Sequence, residues 1–418
     1  MGKCSWTGGS AVLCSFAMAS THIPSVRIVA RGRTRVASGH PWIYRQDVID
    51  GPDSDATSGG PAVVRVTDER GRLLALATWS LHSPVALRVL DRDGSAEAAP
   101  DLLRMVEERL ARARARRESL RLDRDAFRVA HGESDGLPGL FVDVYRDVAV
   151  MQTTSVAMDA HRAKLGAIVE RLLGVRLVIS RDDGSARDFE GLPRQKAILA
   201  GGGATEVEYR LGENRLVADL FTDSKTGGFL DQADNHALIA ELTPKGARCL
   251  DAFTYHGGFA LALARKGGPV LANDEDAQAV ARTKANAERN GLANMTVDHT
   301  NAFDLLRSLE GDGKRFDVVV LDPPAFAKRK SGDTAADRAY REVILRGLRL
   351  AVANGLVVAC SCSGRVSREH FDQLIAEAAA DSGRNVQVLA RMGAGRDHPE
   401  LVGVPETGHL KCWVLRVV

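Results

Sequence analysis

The sequence predicts an α/β chain whose C-terminal half is a Rossmann-like, doubly wound parallel sheet, preceded by a small β-rich module and a small α+β connector. Three observations carry that expectation. Strands alternate with helices beyond Glu206, and short strands broken by turns fill Val26 to Leu90. Two apolar, β-branched segments, Val318-Val-Val-Leu-Asp-Pro-Pro-Ala-Phe326 and Leu356-Val-Val-Ala-Cys-Ser-Cys-Ser-Gly364, stop abruptly in polar residues. As neighbouring parallel strands they would bring Asp322 and the Cys360/Cys362 pair to one carboxyl edge, where open α/β sheets bind ligands.

At 418 residues the chain has room for two or three domains. The expected division is an extension over 1–25, the β-rich module over 26–96, a helix and connector over 97–205, and the doubly wound domain over 206–418. A net charge of +2 does not argue for nucleic acid by itself, so any basic surface must be local. Six cysteines without regular spacing form no disulfide framework, and no CxxC pair suggests a metal. A reducing cytoplasm is the expected compartment. Ala11 to Ala19, behind Lys3, imitates a weak signal peptide, but Ser15 interrupts it and it is far below the roughly 18 residues that cross a bilayer. The expectation is a disordered extension, with Met18 as a second candidate start, Cys4 and Cys14 without chemistry, and no membrane association.

Within the β-rich module, Val63 to Thr78 reads as a hairpin turning near Arg70-Gly71, and Val85 to Leu90 as a further strand. Before the hairpin, Arg31-Gly-Arg-Thr-Arg35 and Gly39-His-Pro-Trp-Ile-Tyr44 mix cations with aromatics. Arg31, Arg33, Arg35 and Trp42 would suit phosphate contacts and base stacking; equally, they could be solvated arginines around a core tryptophan. The segment resembles the PUA module of RNA-modifying enzymes, which favours RNA.

Asp101 to Arg124 is expected to be a helix with an apolar stripe of Leu102, Leu103, Val106, Leu110 and Leu120. Its arginines, from Arg104 to Arg121, would offer a cationic face to a polyanion or would simply be solvated. The connector then reads as a hairpin over Leu140–Tyr145 and Val148–Gln152, a helix over Ala160–Leu173 and a strand over Val175–Ser180. Asp182 and Asp183 are expected in a solvated loop.

The doubly wound domain starts at Arg248–Phe253, with its helix over Gly258–Lys266. A strand at Val270–Glu275, a helix at Ala277–Asn290, and strands at Met295–His299, Phe316–Leu321 and Leu356–Cys360 follow. The first turn, Asp251-Ala-Phe-Thr-Tyr-His-Gly-Gly258, lacks the G-x-G-x-x-G spacing of a pyrophosphate loop. Asp274 ends the second strand, where a ribose diol would donate to it. Adenosine without a pyrophosphate points to S-adenosylmethionine over NAD.

The stretches Lys225-Thr-Gly-Gly-Phe-Leu-Asp-Gln232, Phe253-Thr-Tyr-His-Gly-Gly-Phe259, Asp322-Pro-Pro-Ala-Phe326, Ser361-Cys-Ser-Gly364, Asp397-His-Pro399 and Pro405-Glu406 carry a resemblance. They are similar, in this order and over about Val26 to Val418, to the PUA-containing class I rRNA methyltransferases that make 5-methylcytosine in large-subunit ribosomal RNA. The resemblance implies S-adenosyl-L-methionine as cofactor and ribosomal RNA as partner, with homodimerisation left open. By it, Asp251 and Phe253, Thr254, Tyr255, Gly257 and Gly258 cup the methionine end, Asp274 takes the ribose, and Asn301-Ala302 flank the adenine. Lys225, Phe229 and Gln232 close over the cofactor, which Asp322 and Pro323 also meet. Asn301, Ala233 and Gly228 depart from the family pattern, which often has an aspartate, an arginine and an aromatic there.

Cytosine C5 is too weak a nucleophile to take a methyl unaided, so a thiolate first adds to C6. Alignment with Ser-Cys-Ser-Gly implies Cys362 as that nucleophile and leaves Cys360 packed in its strand. Asp322 would hold the N3/N4 edge of the base, and Pro323-Pro324 would stiffen its loop. An acid followed by Pro-Pro also fits methylation of an exocyclic amine, in which Phe326 would stack on the base and Cys362 would be idle. After this loop, the basic run Lys328, Arg329 and Lys330 would grip the RNA backbone. A non-catalytic RNA-binding assembly factor and a small-molecule methyltransferase are the remaining alternatives.

Overall fold

The first strand among the described residues, Ser25–Ile28 (β1), alternates exposed and buried residues and lies between two partners, parallel to one and antiparallel to the other. In this computed structural model, which describes residues 23–92, 101–326 and 334–418, it belongs to a six-stranded sheet. The other members are Trp42–Tyr44 (β2), Val48–Asp50 (β3), Val63–Thr67 (β4), Leu73–Trp79 (β5) and Val85–Asp91 (β6), in the order β2-β6-β5-β4-β1-β3. Val26, Ile28, Ile43, Val64, Val66 and Trp79 fill its core. Cys4 and Cys14, and the expected RNA-gripping residues Lys328, Arg329 and Lys330, lie outside the described residues.

One segment of this sheet departs from the expected strands and turns: Ala30–Ala37 is a helix (α1). Gly32, Thr34 and Val36 are weak helix formers, which hides it in the sequence. Gly32 is there for contact, since a Cβ would come within 3.1 Å of Ile28 and 3.3 Å of Asp47. The helix carries Arg31 and Arg35 onto buried Asp47, and Arg35 also lies over the Tyr44 ring at 4.5 Å. Arg33 is exposed.

Helix α2 runs over Leu102–Ser119, ending before the expected Arg124, with Asp101 capping its first amides. Four of its arginines are engaged within the fold. Arg117 is buried and bidentate to Asp135, Arg116 joins the same carboxylate, Arg109 donates to the carbonyls of Leu90 and Gly136, and Arg114 binds Glu118.

The connector is a five-stranded sheet in the order β11-β10-β9-β8-β7. Its elements are Ala126–His131 (β7), Leu140–Tyr145 (β8), Val148–Thr153 (β9), helices Val156–Ala160 (α3) and Arg162–Leu173 (α4), Leu177–Asp182 (β10) and Gln195–Gly201 (β11). The two outer strands, β7 and β11, go beyond the strands expected from the sequence. Asp182 is not a solvated loop residue: β10 is interior to the sheet and extends through it, and the buried carboxylate accepts from Ser180, Thr153 and the Thr153 amide. Burial raises its pKa.

A hairpin, Glu206–Leu211 (β12) with Asn214–Asp219 (β13), and the helix Ala233–Leu242 (α5) lead into the doubly wound domain. There Cys249–Ala252 (β14), Gly258–Ala264 (α6), Val270–Asp274 (β15), Ala277–Arg289 (α7), Met295–His299 (β16), Ala302–Gly311 (α8), Phe316–Leu321 (β17), Thr334–Leu350 (α9), Ala351–Ser361 (β18), Arg368–Ser382 (α10), Val386–Met392 (β19) and Lys411–Val417 (β20) follow. The sheet order is β16-β15-β14-β17-β18-β20-β19, with β20 antiparallel to both neighbours. Side-chain alternation splits the core: Leu250, Val319, Leu321, Val357 and Trp413 pack on one face, and Cys249, Val318, Val320, Val358, Cys360 and Cys412 on the other. Among the described residues no helix is long and apolar enough to cross a membrane.

Candidate active site

β17 and β18 are parallel neighbours, in register from Val318↔Leu356 to Leu321↔Ala359. Asp322 therefore leaves β17 at the edge where Cys362 leaves β18. The parity that points Val358 and Cys360 into the core carries Cys362 to the same side, but beyond the end of the strand at Ser361. Cys360 stays packed opposite Cys412, and burial raises its thiol well above the ordinary value. Cys362 instead lines a cavity of about 250 Å³ with Asp322, Pro323, Pro324 and the turn after β14.

Of the residues expected at the cofactor, Lys225, Phe229, Gln232, Phe253, Thr254, Tyr255, Gly258 and Asp274 line this cavity. Asp251 sits behind it, accepting from Thr254 at 2.6 Å and from the Ala260 amide at 2.9 Å; burial pushes its carboxyl up to about 7. Gly257, at φ 88°, caps α6 and gives the left-handed step that turns the chain into the helix. Asp274 accepts from the Tyr255 amide at 2.8 Å. Phe253, Tyr255 and Lys225 have positive φ without being glycine, so strained backbone concentrates at this cavity.

Asn301 and Ala302 are not brought into the cavity lining. Asn301 caps α8 through the Phe303 amide and donates to Glu275, so Glu275 and Asp276 meet the cavity there instead. Phe326 is also elsewhere: its ring packs against Tyr340 at 4.9 Å and Phe303 at 5.8 Å, on the helical core. Gly228 has a physical reason, because a Cβ there would meet the Tyr209 hydroxyl at 2.7 Å. Tyr209, from the hairpin that the sequence pattern does not announce, occupies the space of a larger residue.

Three groups that the sequence does not single out complete the site. Asp231 is buried, accepts from Lys225 and His409 at 3.2 Å each, and keeps its other oxygen unpartnered among the described residues. Burial opposes its charge, yet Lys225 and the neighbouring histidines hold its carboxyl well below the usual range. Lys225 also lies 4.1 Å over the Phe229 ring, which meets Tyr255 edge-on. His409 and Lys411 arrive on β20, the antiparallel insertion in the sheet, and the loop before it.

Asp322 accepts from Gln232 at 2.9 Å, and burial, reinforced by the Asp231 charge, pushes its carboxyl up to about 7 from an ordinary 3.8. A raised carboxyl keeps its proton in the folded state after the unfolded chain has lost it. Its contribution to stability is therefore full below the unfolded value and is lost as pH rises through about 7. Asp322→Asn is expected to raise the thermal midpoint of the ligand-free protein relative to wild type at pH 8 but not at pH 4, read by thermal unfolding. A difference that does not change with pH would contradict the assignment.

A second cavity, of about 420 Å³, shares Lys225, Gly228 and Asp231 with the first. That in turn shares Arg128 and His409 with a third, of about 630 Å³, lined by Trp42, Tyr44, Phe189 and Glu406. Trp42 donates its indole N–H to Glu133 at 2.8 Å, and Phe189 is 62% exposed. Neighbouring cavities of the three thus have wall residues in common, from the one lined by Cys362 to the one lined by Trp42.

Residues 26–92 match the PUA-like domain family, and residues 201–416 match the S-adenosylmethionine-dependent methyltransferase family. The chain is 34% identical over 387 residues to ribosomal RNA large subunit methyltransferase I of Tolumonas auensis, covering 91% of this chain and 96% of the relative. It is 32% identical to the protein of the same name from Aeromonas hydrophila, covering 94% and 99%. In fold it is similar to a methyltransferase solved in complex with SAH, with a TM-score of 0.81 at 17% identity, covering 95% of this chain and 100% of that one.

Proposed function

Because this chain belongs to the family of PUA-containing, S-adenosylmethionine-dependent large-subunit rRNA methyltransferases, we propose that it methylates C5 of a cytosine in large-subunit ribosomal RNA through a covalent Cys362–C6 adduct. Its cofactor is S-adenosyl-L-methionine, and the cavity has the features to hold it: Asp274 at the end of β15, the Phe253–Gly258 turn, and Lys225, Phe229 and Gln232 on the facing segment. When bound, that cofactor supplies an electrophilic methyl.

The observation that carries the cytosine-C5 reading is that Cys362, Asp322 and Pro323 share one cavity with the cofactor turn, whereas Phe326 is committed to Tyr340 and Phe303. In this mechanism Cys362 Sγ bonds to C6 of the cytosine and makes an enamine whose C5 takes the methyl. Water then takes the C5 proton, the C6–S bond breaks, N3 returns to Asp322 the proton that it received, and the free thiolate is restored. Asp322, poised near neutrality, donates to N3 as C6 is attacked. An amine methyltransferase would need an aromatic on the base, and Phe326 is not free for that.

We further propose that the RNA runs past these neighbouring cavities toward Trp42, Tyr44 and Phe189, with Arg33 among its phosphate contacts, while Arg31 and Arg35 serve the fold through Asp47. The division into an RNA-binding module over 26–96, a connector over 97–205 and a methyltransferase domain over 206–418, acting in the cytoplasm, completes the reading. Bisulfite sequencing of ribosomal RNA from cells lacking the gene tests it. One protected cytosine should lose its protection, and an unchanged pattern would refute the assignment.

A further inference from the structure

We infer that Gln232 and Asn235 are positioning residues that decide which oxygen of Asp322 carries its proton: they hold Oδ2 as an acceptor and leave Oδ1 to donate to the base. The inference rests on the reading of Asp322 as the acid that meets cytosine N3, but its spectroscopic test does not. It starts from a backbone carbonyl, which can only accept. Gly393 follows β19, and its loop is pinned to the start of α5: the Gly395 amide donates to the Asp231 carbonyl and the Arg396 amide to the Asp234 carboxylate, each at 2.8 Å.

Asn235 is 1% exposed, and its Nδ2 donates to the Gly393 carbonyl at 3.1 Å and to Gln232 Oε1 at 2.6 Å. An amide nitrogen carries two hydrogens, so both are used. Turned the other way, Asn235 would set its own oxygen against the Gly393 carbonyl. Gln232 is thereby fixed with Oε1 toward Asn235 and Nε2 toward Asp322 Oδ2, to which it donates at 2.9 Å. The arrangement has a cost, because Asn235 Oδ1 is buried without a partner among the described residues. An unpaired buried acceptor weakens a fold, so what Asn235 supplies is the direction of the glutamine amide.

A protonated carboxyl has one hydroxyl and one carbonyl oxygen. A proton on Oδ2 would face the Gln232 N–H, donor against donor, so it resides on Oδ1. No described residue donates to Oδ1 at hydrogen-bond geometry, and Asp322 is half-buried on the cavity wall that it shares with Pro323 and Cys362. In the reaction the Oδ1–H bond breaks, an N–H bond forms at N3, and the electron pair stays on Asp322, where the Gln232 N–H meets the new charge. The titratable groups around this carboxyl are Asp231 and Lys225, Asp251 behind the cofactor turn, Cys360 and Cys362 on β18 and just after it, and Tyr340 on α9. They set how readily Asp322 ionises, whereas Gln232 sets where the proton sits.

The test is infrared difference spectroscopy on the full, ligand-free chain, following the carbonyl stretch of protonated Asp322, identified in each variant as the band that Asp322→Asn removes. In wild type this carbonyl oxygen is Oδ2, and accepting from Gln232 lowers its frequency. Gln232→Met should raise the frequency and move the titration midpoint up by about one unit, because the charged form loses a donor. Asn235→Asp keeps the shape, but a carboxyl there gives any proton to the Gly393 carbonyl and only accepts from Gln232, so the amide turns over and presents Oε1 to Asp322. The band should rise again, and kcat for methyl transfer should fall by about tenfold or more, with KM for RNA and for S-adenosyl-L-methionine within about twofold. In the Gln232→Met background Asn235→Asp should add nothing, since it acts only through the amide. Cooperative thermal unfolding reports that each variant is folded. An unchanged band in Gln232→Met, an effect of Asn235→Asp that persists without Gln232, or a kcat indifferent to the turned amide would each overturn the inference. Methyl transfer that survives Cys362→Ala sinks the cytosine-C5 reading instead, and leaves the infrared bands as they were.

Discussion

Cys362→Ala is expected to lower methyl transfer to RNA by about 10⁴-fold or more while changing S-adenosyl-L-methionine binding by no more than about twofold. The asymmetry follows from where the sulfur lies. Cys362 is on the wall of the cavity, past the end of β18, whereas Asp274 and the turn after β14 come from other strands and keep their positions without it. Removing a nucleophile eliminates the only route by which C5 becomes an enamine, so activity is not merely weakened. RNA containing 5-fluorocytosine should trap wild type as a covalent complex, since fluorine cannot leave as the C5 proton does. The alanine variant should give no such complex on a denaturing gel. Full methyl transfer by the alanine variant would remove Cys362 from the mechanism and revive attack by an unactivated amine.

Much of this site could be read from local sequence because it depends on strand ends. Val318–Asp322 and Leu356–Cys362 each announce a buried parallel strand and its polar exit, and the end of the strand at Ser361 separates Cys360 from Cys362. The connections that depend on distant chain segments were not legible. Asn235 gains its meaning from the Gly393 carbonyl, Asp231 from His409, and Tyr209 from the space left by Gly228. Nothing near those residues in sequence names their partners. Charge patterning misled for a related reason: the arginines of α1 and α2 look like a nucleic-acid surface until their carboxylate and carbonyl partners, many of them far away in sequence, are seen. The family resemblance sets Asn301 beside the adenine, but its side chain is used by the helix it caps.

The Asp397-His-Pro399 motif shows the same gap, and its role emerges from packing. Asp397 is fully buried, accepts from Arg124 at 2.8 Å and from the Arg128 amide at 2.9 Å, and its carbonyl takes Arg117 at 2.9 Å. Arg124 also binds Asp234, and Arg117 binds Asp135, so this one loop ties α2 and β7 to the methyltransferase domain. Asp397→Ala leaves a buried guanidinium half-paired and an amide unmatched. The expected loss is about 3 kcal/mol, at the low end for a broken buried pair because Asp234 remains. Asp397→Asn, which keeps the shape, should lose less. Burial pushes the Asp397 carboxyl up, but His398, Arg124 and the Arg128 amide outweigh it and hold it well below the usual range. A depressed carboxyl contributes stability that is present above its unfolded value and lost as pH falls through its folded one. Urea denaturation should therefore find the gap between wild type and Asp397→Asn widest at pH 7 and narrowing toward pH 3. A gap that is absent at neutral pH, or that widens in acid, would mean that the loop is held by its backbone contacts alone.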